Sequence, residues 1–269
     1  MAHWFESNHI PAALAILRVF DIAGKTPTHA GSVFDTAQSF DSVRCRASVE
    51  KIVREAIRTN RPRYSTGDLA DSIGTYIYPV PFSPLSSVGK AVDRVRALQP
   101  SQLRPLVGLQ GFSLRDTNQN PGGRKPTAQE TRFMAFQAIV HGAGGLIWWG
   151  ANFISSESTL WTAIKQTSRD VSTISGWLVE ADSPFQIQAA GVETLLKQPI
   201  ANGDTYLLIA VNPQDTSQNV EFSLLAPKTI KTAREIFTQQ QAAVSEGRFT
   251  ESFEAYGVRV YEITIADAS

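Results

Sequence analysis

A chain of 269 residues, 42% hydrophobic and 19% charged, is long enough for one large globular domain or two ordinary ones with a real core. Its 25 basic and 25 acidic residues leave no formal net charge, so no long-range field draws it to nucleic acid or to an anionic membrane. The single cysteine, Cys45, excludes an internal disulfide and a cysteine-based metal site, and no apolar run approaches the ~20 residues of a membrane span.

In chain order, Ala2–Phe5 reads as a strand stub and Pro11–Phe20 as a helix with proline in its first turn. Thr28–Phe34 follows as a strand. Val43–Thr59 is amphipathic, with Val49, Ile52, Val53, Ala56 and Ile57 on one side. The basic residues from Arg44 to Arg63 interleave with that apolar stripe, which marks a solvated helix face and not a nucleic-acid patch. Ser72–Val80 reads as a strand closed by prolines, and Ser86–Leu98 as a helix with Val88, Val92, Val95 and Leu98 inward. Leu103–Phe112 is the next strand, followed by a polar loop over Ser113–Lys125.

The next stretch, Pro126 to Gly150, carries its own punctuation. Thr127 and Glu130 form the T-x-x-E capping box. Phe133, Phe136, Ile139 and Val140 recur on one helical face, and Gly142–Gly145 stops the helix. Leu146–Trp149 is then a short apolar run expected to be a strand buried on both faces. A last helix spans Ser158–Val179. Alternating strands and helices imply a parallel α/β sheet. From about Ser183 the texture changes to β-rich runs, Thr205–Val211, Asn219–Leu224 and Gly257–Ile265. Turns at Asn202-Gly203-Asp204 and Asn212-Pro213-Gln214-Asp215 punctuate them. Such spacing predicts an antiparallel sandwich over 183–269, after an α/β domain over 1–182.

Several segments together resemble bacterial glycoside-hydrolase-like proteins that carry a (β/α)8 barrel followed by a small β-sandwich. They are Asp71–Pro79, Leu109-Gln110-Gly111-Phe112, Pro126-Thr127 through Met134, His141-Gly142-Ala143, Trp148-Trp149-Gly150, Ala210-Val211-Asn212-Pro213 and Tyr256–Tyr261. The resemblance covers the chain from about Asp71 onward and the first 70 residues only loosely. It implies that Ser72–Tyr78, Leu106–Phe112 and Leu146–Trp149 are barrel strands six, seven and eight. Thr28–Phe34 and Ala2–Phe5 would then be strands five and four. A whole barrel takes ~250 residues, so the expectation is a partial TIM barrel of strands four to eight, truncated at its N-terminus. The start of the chain lacks a signal-peptide layout; truncation leaves a secreted or periplasmic location open.

Barrel glycosidases place two carboxylates at strand ends, one of them a proton donor. The resemblance makes Glu6, after Trp4-Phe5, the candidate donor, although the family-like W-x-x-D-E-P is here W-F-E-S. Asp116, in the loop after strand seven, is the candidate second carboxylate. Gln110 stands where many barrel glycosidases carry a nucleophilic Glu. It is read either as a sugar contact or as a structural amide bridging strand ends. Tyr76, Tyr78 and Trp149 are candidate sugar-stacking residues, since aromatic faces pack on the C–H faces of sugars. Core packing competes for Tyr76. Strand alternation lets one of Trp148 and Trp149 face the barrel, and position favours Trp149.

Glu130 is explained by the cap. Arg132 sits in a first turn where the helix dipole disfavours a cation, which calls for a carboxylate partner. His141 suits a helix end. The four histidines show no metal-ligand spacing, and the Gly142–Gly145 cluster precedes a strand instead of opening a helix, so neither metal nor dinucleotide is expected. The expected partner is a carbohydrate, with self-association through exposed barrel edges as a further expectation. The function implied is hydrolysis of a glycosidic bond by a carboxylate pair. The alternatives are a non-catalytic or degenerate sugar-binding barrel and an inactive fragment.

Overall fold

The computed structural model describes residues 74–97, 104–117, 120–225 and 227–267. The readings of Ala2–Phe5, Glu6, Pro11–Phe20, Thr28–Phe34, Cys45 and Val43–Thr59 lie outside these. The chain divides into two compact units. Described parts of the first are 74–77, 91–97, 104–108 and Gly142–Ile147, and the second holds Tyr78–Lys90, Leu109–His141 and the chain from Trp148 on.

Three strands alternate with helices: β1 (Gly74–Ile77), α1 (Ser87–Arg96), β2 (Leu106–Gln110), α2 (Ala128–Val140) and β3 (Gly145–Trp149), in the sheet order β1-β2-β3. In the first unit Gly74 lies against Leu106 and Tyr76 against Gly108. Positions on the two strands advance together, so the pair is parallel. Gly144 N–H donates to Pro105 O, and further along Gly111 N–H donates to Trp149 O, each at 2.9 Å, which gives β2 and β3 the same sense. On α1, Val88, Val92 and Val95 are buried as the periodicity predicts.

Strand β3 is not buried on both faces: its other residues are half-buried and Ile147 is 39% exposed. Among the described residues β3 is an edge strand, covered by a neighbour on one side only. The helix expected over Ser158–Val179 is two helices, α3 (Thr159–Thr173) and the single turn α4 (Ser175–Leu178). Buried Ile174 takes φ −101°, ψ 5° between them. Flanking hydroxyls compete for backbone there, with Thr173 Oγ1 donating to Arg169 O at 3.0 Å and Ser175 Oγ to Ser172 O at 2.8 Å.

The capping box of α2 forms as read. Glu130 N–H donates to Thr127 Oγ1 at 3.2 Å, and Thr127 N–H donates to Glu130 Oε2 at 2.8 Å. Burial would push the Glu130 carboxyl up. The Arg124 guanidinium, bonded to both its oxygens at 2.6 and 2.7 Å, and the Thr127 N–H hold it below its ordinary value of 4.5 instead. A depressed carboxyl contributes stability that is complete above its unfolded pKa and is lost as pH falls through the folded one. The melting temperature is therefore expected to fall on acidification below about pH 4.5, and to fall less steeply in Arg124→Gln. Equal acid slopes for the two proteins would remove this pair from the acid response.

Within the second unit α2 is buried all round, from Thr131 and Phe133 through Ile139, and not on one face. Helix α3 covers one side of it and a four-stranded sheet another. That sheet has the order β5 (Glu193–Lys197), β6 (Thr205–Val211), β10 (Val258–Asp267), β8 (Lys228–Glu235), and all its pairs are antiparallel. A second sheet, β4 (Ile187–Gln188), β7 (Gln218–Leu224) and β9 (Phe249–Phe253), is also antiparallel. One apolar cluster joins their inner faces, with Leu208, Ala210, Tyr261 and Ile263 meeting Val220, Phe222, Phe249 and Phe253. The alternate residues of β6, namely Leu207, Ile209 and Val211, are also fully buried, which suits a strand with a sheet on one face and a helix on the other. The turn read at Asn212-Pro213 is tied by buried Asn212, whose Nδ2 donates to Thr216 O and Glu254 O at 2.7 and 2.9 Å.

Candidate binding site at the strand ends

In the second unit the C-terminal ends of the three parallel strands carry Tyr78, just past β1, Gln110, the last residue of β2, and Trp149, the last of β3. Gln110 is fully buried. Its Oε1 accepts from Val80 N–H at 2.9 Å, while Nε2 donates to Val80 O at 2.9 Å and to Phe112 O at 3.1 Å. The amide thus ties the end of one strand to the next and holds the backbone on either side of it. Of the two readings of Gln110, this geometry matches the bridging amide.

Four rings near these strand ends form one cluster. Phe112 centres the group, 5.0 Å from Tyr78 edge-on, 4.9 Å from Trp149 edge-on and 6.3 Å from Phe153. Trp149 lies 5.6 Å from Tyr78 and 6.2 Å from Phe153. These are the separations of favourable offset and edge contacts. Phe112 is buried, Tyr78 and Trp149 are half-buried, and Phe153 is 42% exposed. Phe153 arrives through Gly150, whose φ of +79° starts the 3-10 turn Ala151–Phe153. A Cβ there would stand 2.7 Å from the Phe112 ring, so both the turn and the packing require glycine.

Sequence reasoning missed Phe112 and Phe153 as members of this group. The spacing Trp149-Gly150-x-x-Phe153, an aromatic thrown back over a glycine turn, was the available signal. Trp148 is half-buried, and the Cβ position of Gly111 falls 3.5 Å from its own Cβ. Tyr76 lies in the first unit, its ring packed where a Cβ on Gly108 would be. Only glycine leaves room for that ring, and burial pushes its phenol up. This geometry is that of packing.

Asp116 is half-buried and closes its own loop, with Oδ2 accepting from Ser113 N–H at 2.9 Å and its N–H donating to Ser113 O at 2.8 Å. Arg132 has the carboxylate its position demands: Nε donates to Asp170 Oδ2 at 2.9 Å across to α3. His141 caps α2, and its Nε2 lies 3.1 Å from Glu193 Oε2 on β5. Burial would raise the Glu193 carboxyl, but His141 and Gln137 hold it low. Among the described residues no group of three or more His, Cys, Asp or Glu is placed to hold a metal, and no helix is long and apolar enough to cross a membrane.

No family model matches the chain, and no curated protein matches it. Among solved structures it is similar to AmyP in complex with maltose, with TM-score 0.43 and 10% identity over 70% of this chain and 49% of that one. It is similar to an alpha-amylase from Geobacillus thermoleovorans complexed with acarbose, with TM-score 0.40 and 10% identity over 71% and 59%. An alpha-galactosidase I from Mortierella vinacea gives TM-score 0.41 and 13% identity over 69% and 46%. The chain spans about half the length of these structures.

Proposed function

We propose that the chain is the C-terminal part of a carbohydrate-active (β/α)8 barrel of glycoside-hydrolase type, with a β-sandwich over residues 183–269, and that it binds sugar at its strand ends. The observation that carries this is the cluster of Tyr78, Trp149 and Phe153, part-exposed rings around buried Phe112 at the ends of parallel strands. Strand ends of this kind are where α/β sheets bind ligands, and flat rings with a polar tip suit sugar faces. Tyr78 and Trp149 are the stacking residues, Gln110 sets the backbone they stand on, and Tyr76 supports β1 from within.

Hydrolysis would need Glu6 as proton donor and Asp116 as the second carboxylate. The Asp116 carboxylate serves its own turn, which favours sugar binding without catalysis over the hydrolytic reading. In titrations with mono- and disaccharides, Trp149→Ala is expected to weaken affinity about tenfold, the scale of one lost aromatic contact with its burial. Unchanged affinity would sink the stacking role. Aryl-glycoside hydrolysis abolished by both Glu6→Gln and Asp116→Asn would instead establish the carboxylate pair.

A further inference from the structure

The second unit contains a cleft of ≈ 420 Å³ that shares no residue with the strand-end cluster. Its size is that of small-molecule sites. Helices α2 and α3, the turn after β8, and strands β9 and β10 supply its walls. Arg132, at its edge, is held firmly: Nε is on Asp170, Nη1 donates to Val258 O at 3.0 Å, and the guanidinium lies 4.8 and 5.0 Å from the rings of Phe136 and Phe237. Its Nη2 meets no acceptor among the described residues.

The acceptor side is equally selective. Glu235 Oε2 already accepts from Phe237 N–H, Thr238 N–H and Thr238 Oγ1 at 2.6–2.9 Å, and each oxygen of Asp170 is engaged once, by Arg132 and by Gln166. Glu251 Oε2 accepts from Tyr261 Oη–H at 2.9 Å. Its Oε1 has only Arg259 Nε, 3.8 Å away and beyond hydrogen-bond reach. The side-chain amides of Gln240 and Gln241 make no hydrogen bond among the described residues, and each offers a donor and an acceptor. A free anion would face three carboxylates there, and a free cation two guanidiniums. What the cleft leaves unsatisfied is a mixture of donors and acceptors without a dominant charge, which is the complement of neighbouring hydroxyl groups.

We propose that this cleft binds a neutral polyhydroxylated ligand, a mono- or disaccharide, whose hydroxyls donate to Glu251 Oε1 and accept from Arg132 Nη2. It is a second site and does not rest on the strand-end reading. The test is calorimetric titration of the full chain in the Trp149→Ala background, with glucose, maltose, sodium phosphate and glycine as probes. Saturable binding of glucose or maltose is expected to persist there. It should weaken about tenfold, the value of one charge-assisted hydrogen bond, in Glu251→Gln and more mildly in exposed Gln241→Ala, whose fold is checked by circular dichroism. Sugar binding unmoved by both substitutions, saturation by phosphate or glycine in preference to sugar, or no saturation by any probe would each overturn the proposal. Sugar binding that vanishes with Trp149→Ala alone would overturn it too, and leave the strand-end site standing.

Discussion

Gln110→Leu is expected to be among the most damaging single substitutions in the chain. Leucine fills the space but abandons Val80 N–H, Val80 O and Phe112 O, three backbone groups that the amide now satisfies at 2.9–3.1 Å in a fully buried setting. Each unsatisfied group costs about 1–3 kcal/mol, for a total on the order of 4 kcal/mol. The melting temperature should drop by roughly 10 °C. Gln110→Glu should also destabilise, because a carboxylate keeps the acceptor for Val80 N–H but loses both donors and brings a charge into a dry site. Glutamate at this position would be tolerated if the side chain faced solvent or ligand. Melting of either variant within a degree or two of the parent, by differential scanning calorimetry, would therefore return Gln110 to the ligand-contact reading.

Truncation of Phe222 to alanine is expected to cost about 3–5 kcal/mol, the range for a buried aromatic that leaves a cavity. Phe222 is fully buried on β7, stacked on Phe249 at 4.8 Å with an 11° interplanar angle, and 6.0–6.2 Å from Phe253 and Tyr261. Those partners come from both antiparallel sheets, so one deletion loosens the contact between the sheets as well as filling no space. Phe222→Leu should recover more than half of the loss, because it restores most of the volume if not the stacking. Guanidinium unfolding curves give both values; a loss below about 1 kcal/mol for alanine would mean that the two sheets do not depend on this ring.

Gln110 and Phe222 act on stability and leave sugar recognition to whatever protein remains folded, whereas Trp149→Ala acts on affinity. Trp149 is half-buried, so its loss should cost less stability than either of the others.

What could be read without the structure was whatever short-range physics decides. Thr127 and Glu130 state a helix start because each satisfies the other's backbone three residues away. Thr205–Val211 is a strand to the residue because β-prone residues bounded by turns have few alternatives. Arg132 announced a partner because a cation in a first turn is unfavourable alone, and Asp170 provides it from another helix. Strands β5, β8 and β9 were not legible: Glu193–Lys197, Lys228–Glu235 and Phe249–Phe253 alternate polar and apolar residues weakly, and pairing across the sheet defines them.

The candidate site divides along the same line. That Tyr78, Gln110 and Trp149 stand at strand ends follows from local order along the chain. Their roles needed tertiary structure, because orientation and burial depend on residues far apart in sequence. Gln110 is committed to Val80, thirty positions away, and Tyr76 is committed to the gap over Gly108. Phe153 joins Trp149 only because Gly150 turns the chain back. The sequence alone thus determined elements, caps and the aromatic character of one sheet end. Which side chains are free to meet a ligand was decided by the fold, since that freedom is what long-range packing and hydrogen bonding leave over.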